Sequence, residues 1–190
     1  MKLTIRIATE HDVPLILAFI RELAEYERLS HEVEATEEIL RESLFGARPR
    51  AEVLFGCVEG EPVAFAVFFH TFSTFVGRHG LYLEDLYVKP AFRRQGIARA
   101  LLSQMARIAK ERNCGRMGWA VLNWNKPAIE FYESLGAVGL KEWTTYRVVE
   151  TGIGRVIGEK QLSGRSALAE LEAGTVREDE LGTKKCPLPP

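Results

Sequence analysis

Residues Leu81–Leu102 read LYLEDLYVKPAFRRQGIARALL. An apolar run opens the stretch and carries two adjacent acids, Glu84 and Asp85. Pro90 interrupts it, Arg93 and Arg94 follow, and Gly96 begins a segment in which Leu101, Leu102, Met105 and Ile108 fall on one helical stripe, to about Lys110. A strand (Gly80 to Val88) that passes through a basic glycine turn directly into a helix is a β–turn–α unit. When a further strand follows that helix, at least one parallel pair is required. Arg116 to Val121 supplies it.

Upstream, Lys2 to Ala8 alternates like a strand, and Thr9 with Asp12 fits a capping box. Val13, Ile16, Leu17, Ile20 and Leu23 then keep helical spacing to about Leu29. Thr36 to Leu44 reads as a second helix. Ala51 to Val58 and Pro62 to His70 read as a hairpin turning at Gly60 and Pro62. Downstream, Asn125 suits a helix N-cap, Pro127 its first turn and Gly136 its end. Trp143 to Val149 reads as a last strand. The expected fold class is therefore α/β, a mixed and mostly antiparallel sheet with helices on both faces. One domain is expected over residues 1–149. From about Thr151 aromatic residues cease, and residues 150–190 read as a low-complexity, mobile tail with a short amphipathic piece at Ser166–Ala173.

Composition narrows the function classes. The 190 residues can bury one sizeable core, and 46% hydrophobic with 27% charged residues is ordinary for a globular chain. A formal net charge of −1 supplies no field that would draw in nucleic acid or a membrane surface, and neither is an expected partner. No apolar run approaches the ~18–20 residues of a transmembrane helix, and the N-terminus has no apolar signal region. Cys57, Cys114 and Cys186 are scattered, and His11, His31, His70 and His79 do not cluster with them. A reducing cytoplasm and no metal are the simplest expectations.

The glycine turn has its own chemistry. Unpaired N–H groups at a helix N-terminus can form a nest for an anion. Gly96 and the small Ala98 permit close approach, and Arg93, Arg94 and Arg99 add positive charge, so the turn suits a phosphate or pyrophosphate. A plain turn with solvated arginines fits the same spacing. No Gly-Lys-Ser/Thr follows, and the three-glycine dinucleotide pattern is absent.

Four blocks in order, ELAEYE (Glu22–Glu27), YLEDLYV, FRRQGIA and WNKPAIEFYESLGA, resemble the GNAT N-acetyltransferases. They are most similar to the diamine (spermidine/spermine) N-acetyltransferases and their thialysine-acetylating relatives. The resemblance spans about residues 3–149. It implies acetyl-CoA as acyl donor, with the pyrophosphate at Arg93, Arg94, Gln95, Gly96, Ile97, Ala98 and Arg99. It implies the pantetheine arm along Leu86, Tyr87 and Val88, and further cofactor contacts from Asn125, Lys126, Pro127 and Ala128. It implies Tyr132 as proton donor, Glu84 beside the amine, and Tyr26, Glu27 and Trp119 on the substrate side. A homodimer acting on a small-molecule amine is implied as well. Departures are Ala98 in place of glycine and the loop Thr71–Phe75, which lacks the acid expected of a spermidine/spermine enzyme.

Acetyl transfer needs a neutral amine and a protonated leaving thiolate. An alkyl amine of pKa roughly 10.4 is neutral in about one molecule in 10³ at pH 7, a deficit of about 4–5 kcal/mol. A carboxylate beside it can take its proton, directly or through water, and Glu84 is given that task. Asp85, on the opposite face by strand alternation, is expected to be structural. Tyr132 lies two helical turns after Asn125, on the same face; it equally fits an apolar cluster with Ile129 and Phe131. Glu22, Glu25, Glu27, Glu32 and Glu34 form either an acidic mouth or a solvated helix face. Trp119, Trp124 and Trp143 also fit plain packing. Cys57 and Cys114 read as buried small hydrophobes, so no covalent intermediate is needed. Orientation of two bound reactants supplies most of the catalysis expected. The alternatives are a protein lysine or N-terminal acetyltransferase and a non-catalytic acyl-CoA-binding module.

Overall fold

A computed structural model describes residues 2–158, in two compact units divided after Gly136. The first unit holds β1 (Leu3–Ile7), α1 (Val13–Glu27), α2 (Glu37–Phe45), β2 (Glu52–Val58), β3 (Glu61–Ser73), β4 (Arg78–Val88), α3 (Ile97–Glu111), β5 (Arg116–Trp119) and α4 (Lys126–Glu133). The second holds α5 (Glu150–Val156), which opens the stretch expected as a tail. The piece Ser166–Ala173 lies outside the described residues.

The sheet runs β1-β2-β3-β4-β5, with antiparallel neighbours up to β4 and β5 parallel to β4. Both faces are covered. On one face α3 buries Ile97, Leu101, Leu102 and Met105 against Leu54, Ala64, Ala66, Phe68, Leu81 and Leu83. On the other, Ile16, Phe19 and Leu23 of α1 with Leu44 of α2 cover Val53, Phe55, Phe65 and Tyr87. Phe19 stacks on Phe65 at 5.2 Å between ring centroids. Burying side chains of this size contributes about 1.5–3 kcal/mol each, so the helix stripes read from sequence are what clamp the sheet.

Local signals act where expected. The Thr9 N–H donates to Asp12 Oδ2 at 2.8 Å, and Arg6 grips the same carboxylate with both terminal nitrogens at 2.7 and 2.8 Å. Thr9 and Asp12 cap a 3₁₀ turn, Glu10–Asp12, that feeds α1. Two expectations are corrected. Trp143–Val149 is not a strand: a strand needs a ladder partner, none pairs with it among the described residues, and Trp143, Tyr146, Val148 and Val149 stay exposed. The alternation of β4 also breaks. Val67 pairs with Asp85 and Phe68 with Leu83, so Glu84 is an extra residue bulged out of the ladder. Asp85 therefore shares the α1 face with Val67 and Tyr87, whereas unbroken alternation would put it on the α3 face with Leu83.

Candidate active site

Between β4, α3 and α4 lies a cleft of about 650 Å³. One wall is the end of β4. Its ladder with β5 stops at Leu83–Trp119, so Leu86, Tyr87 and Val88, which line the cleft, continue past it without a β5 neighbour. A short 3₁₀ turn, Pro90–Phe92, reverses the chain. Arg94 (φ 63°) and Gly96 (φ 82°) then take left-handed conformations, and α3 starts at Ile97. Such a succession curls the backbone so that successive N–H groups face inward. The Ala100 N–H is bonded back to the Gly96 carbonyl at 3.0 Å, and the amides of Ile97, Ala98 and Arg99 precede it at the helix end. At Gly96 the left-handed φ, not crowding, requires glycine, since an added Cβ would meet nothing within 4 Å.

Arg93 occupies the base of the turn. Its Nε donates to the Val88 carbonyl at 2.9 Å, and its guanidinium lies 4.5 Å from the Tyr26 ring centroid and 5.6 Å from that of Tyr87. Tyr26, on the last turn of α1, also reaches Asn125 Oδ1 with its hydroxyl at 3.4 Å and packs its ring on Trp124 at 5.8 Å. Asn125 caps α4 through the Ala128 N–H at 3.4 Å. Thus α1 and the start of α4 meet over the cleft.

Tyr132 lines the same cleft from α4, its ring against Trp119 at 5.0 Å and Phe131 at 5.4 Å. Burial and the nearby charge of Glu27 push its hydroxyl up to about 12, so it holds its proton at neutral pH. On the α1 side, burial raises the carboxyl of Glu27. Burial, then Glu84 and Glu27, push Asp85 up to about 6.

The sequence-derived residues are brought together in large part. Tyr26, Leu86, Tyr87, Val88, Arg93, Arg94, Gly96, Ile97, Ala98, Arg99, Asn125, Pro127, Ala128 and Tyr132 all line the cleft. Gln95 and Lys126 do not. Gln95 donates to the Ala91 carbonyl at 3.2 Å, bracing the turn from outside, and Lys126 is exposed. Glu27, Glu84 and Trp119 also stand outside the lining, with Trp119 behind Tyr132. Phe92, Glu130 and Phe131 line it without having been anticipated. For Phe131, membership of the apolar cluster beside Tyr132 was the available signal. Among the described residues no group of three or more His, Cys, Asp or Glu could hold a metal ion.

Comparison with known proteins gives the family of the chain. Residues 17–137 match the profile of the Acetyltransferase (GNAT) family. The chain is 42% identical to a thialysine N-epsilon-acetyltransferase of Sus scrofa over 154 residues, covering 75% of this chain and 90% of that one. It is 30% identical to an L-ornithine N5-acetyltransferase of Arabidopsis thaliana, covering 76% and 83%. Among solved structures, an integron cassette protein from the mobile metagenome of V. cholerae superposes with a TM-score of 0.70 at 25% identity, over 83% of this chain and 99% of that one.

Proposed function

The chain belongs to the GNAT acetyltransferase family, and from that premise we propose that the cleft binds acetyl-CoA and delivers its acetyl group to the side-chain amine of a small, amino-acid-like cation. The chain is an N-acetyltransferase acting on a small amine. The single observation that carries the finer reading is that the anion-binding turn, the open end of β4 and Tyr132 line one cleft.

In this reading the amides at the start of α3, with Arg94 and Arg99, hold the pyrophosphate. The backbone of Leu86–Val88 holds the pantetheine arm, and backbone N–H groups near Leu86 polarise the thioester carbonyl. Arg93 is the brace that holds the turn against β4. Tyr132 protonates the departing thiolate. A phenol near 12 gives its proton only reluctantly to a thiolate whose own thiol is near 8.5. One cause of the raised value is the Glu27 charge, and a substrate ammonium beside Glu27 offsets it. Acceptor binding thereby readies the acid. Glu84, exposed at the bulge, meets the incoming cation.

A basic amino-acid acceptor is supported by two relatives, whose names specify thialysine and L-ornithine. The half-buried acids Glu27 and Asp85 suit a cation. The test is thiol release from acetyl-CoA against thialysine, ornithine, lysine, putrescine and spermidine. Preferred turnover of an amino-acid side-chain amine is expected. Acetyl-CoA binding without turnover of any of them would instead support a non-catalytic acyl-CoA-binding module.

A further inference from the structure

We propose that a second cavity, walled by the end of β1, the end of α2 and the start of β2, binds a small arylalkanoate, an aromatic ring carrying a carboxylate on a short chain, with Arg50 as its counter-ion. The site is separate from the cleft, and its test does not depend on the acetyltransferase reading.

The cavity measures about 410 Å³, within the range that holds a small ligand. Phe69 and His70 of β3 line it, and His70 pairs with Leu81 near the start of β4. The cleft lies at the other end of β4, where Val88 pairs with Ala64. The two share no lining residue. The walls are tied together by backbone hydrogen bonds. The Ala8 N–H donates to the Val53 carbonyl at 2.8 Å, joining the end of β1 to β2. The loop after α2 turns back so that the Arg50 N–H donates to the Ser43 carbonyl at 2.7 Å. Pro49, with its fixed φ, stiffens the loop just before Arg50. A ligand would meet a cavity already formed, with little ordering left to oppose binding.

Most of the lining is apolar. Ala8, Leu44 and Val53 line the cavity and are buried in the core shared by the sheet and the first two helices. Phe45 and Phe69 are half-buried, and Ile7 is left exposed. A ring placed among these residues removes apolar surface from water, and two phenyl groups in one lining favour an aromatic body.

The charge of the lining selects the polar end. Arg50, Glu52 and His70 are its titratable residues. Glu52 is already neutralised: Arg112, at the C-terminal end of α3, grips it with both terminal nitrogens, Nη2 at 2.8 Å. That pairing holds the Glu52 carboxyl below its ordinary value. Desolvation, and then the Arg112 charge, lower His70, so its imidazole is neutral at pH 7 and free to donate a hydrogen bond. Among the described residues Arg50 forms no ion pair. The lining therefore carries one uncompensated positive charge beside an apolar floor. A cationic ligand is repelled, and a neutral one leaves Arg50 without a partner. A dianion brings one charge too many next to Glu52. A monocarboxylate balances the charge and matches the planar fork of the guanidinium.

The experiment titrates the full chain with γ-phenylbutyrate and with its neutral isostere γ-phenylbutyramide, each with and without saturating acetyl-CoA. Calorimetry gives the affinities, and backbone amide shifts in an NMR titration locate the ligand. The carboxylate is expected to bind saturably at one site, about tenfold or more tighter than the amide, as one charge-assisted hydrogen-bonded contact would give. Its affinity should stay within about twofold when acetyl-CoA is present, since the sites share no residue. The shifts should gather at Ala8, Ala51, Val53 and Phe69, and spare Gly96 and Ala98. Arg50→Gln should bring the carboxylate down to the affinity of the amide while acetyl-CoA affinity holds within about twofold. Ala51→Trp, which fills the cavity, should abolish binding of both probes. If Ala51→Trp no longer binds acetyl-CoA, Arg50→Gln alone decides. Absence of saturable binding, equal affinity for acid and amide, displacement of the probe by acetyl-CoA, or an Arg50→Gln variant that binds the acid as the wild type does would each overturn the assignment. Absence of acetyl transfer to any amine overturns the reading of the cleft and leaves this one standing.

Discussion

The Arg93 guanidinium lies 4.5 Å from the centroid of the Tyr26 ring, while its Nε holds the Val88 carbonyl at 2.9 Å. One side chain thus joins the end of α1, the end of β4 and the glycine turn. A lysine keeps the charge but has neither the planar face nor the directed Nε–H. Arg93→Lys is expected to weaken acetyl-CoA binding about tenfold, roughly the loss of one stacked contact and one charge-assisted hydrogen bond. Calorimetric titration measures it. An unchanged affinity would show that the turn keeps its shape without the brace.

Tyr132 is cast as the acid, and the alternative is an aromatic packing residue against Trp119 and Phe131. Phenylalanine separates the two, because it keeps the packing and removes the proton. Tyr132→Phe should lower kcat about 10²–10⁴-fold and leave acetyl-CoA affinity within about twofold. Wild-type turnover would remove Tyr132 from the chemistry.

Gly56 lets α3 approach β2. A Cβ there would sit 3.0 Å from Ile97 Cγ2 and 3.4 Å from Ala64 Cβ. Ile97 is the first residue of α3, so pushing it outward moves the glycine turn. Gly56→Val should cost about 1–3 kcal/mol of stability and weaken acetyl-CoA binding too. Denaturant unfolding and a binding titration on the same preparation test the pair of effects; loss of stability with full affinity would show that the turn is insulated from the sheet.

The Arg6–Asp12 pair ties β1 to the start of α1. Arg6 and the Thr9 amide and hydroxyl hold the Asp12 carboxyl well below the usual carboxylate range. A depressed folded-state value stabilises the fold above the unfolded-state value, near 3.9, and the benefit fades as pH falls from there. Asp12→Asn should therefore destabilise by about 1–2 kcal/mol at pH 7. The gap from wild type should narrow below about pH 4. Urea melts at pH 7 and pH 3 give both numbers, and a gap independent of pH would argue for shape rather than charge.

Much of the site was legible because its determinants are local. Arg93 to Arg99, with Gly96 in the left-handed region, form the turn through the backbone preferences of a few consecutive residues. Asn125, Pro127 and Gly136 mark α4 in the same way. Tyr132 followed from the family resemblance, and helical period put it on the face of Asn125. The substrate side was less legible. Tyr26 and Asn125 touch across 99 positions of chain, and no periodicity in either segment announces the other. Trp143–Val149 has the alternation of a strand, but pairing is a property of two segments, and none among the described residues supplies the partner.

The sequence by itself determined the order of strands and helices as far as α4, the glycine turn and the capping box ahead of α1, since each depends on dihedral preferences and side chains within a few residues. Only the tertiary structure decided which face of the sheet Asp85 occupies. Alternation along β4 assigns Asp85 to the α3 face, but the register against β3 leaves Glu84 unpaired and carries Asp85 to the other face. Register is set by the fit of two strands and the helices packed on them, which no single strand encodes.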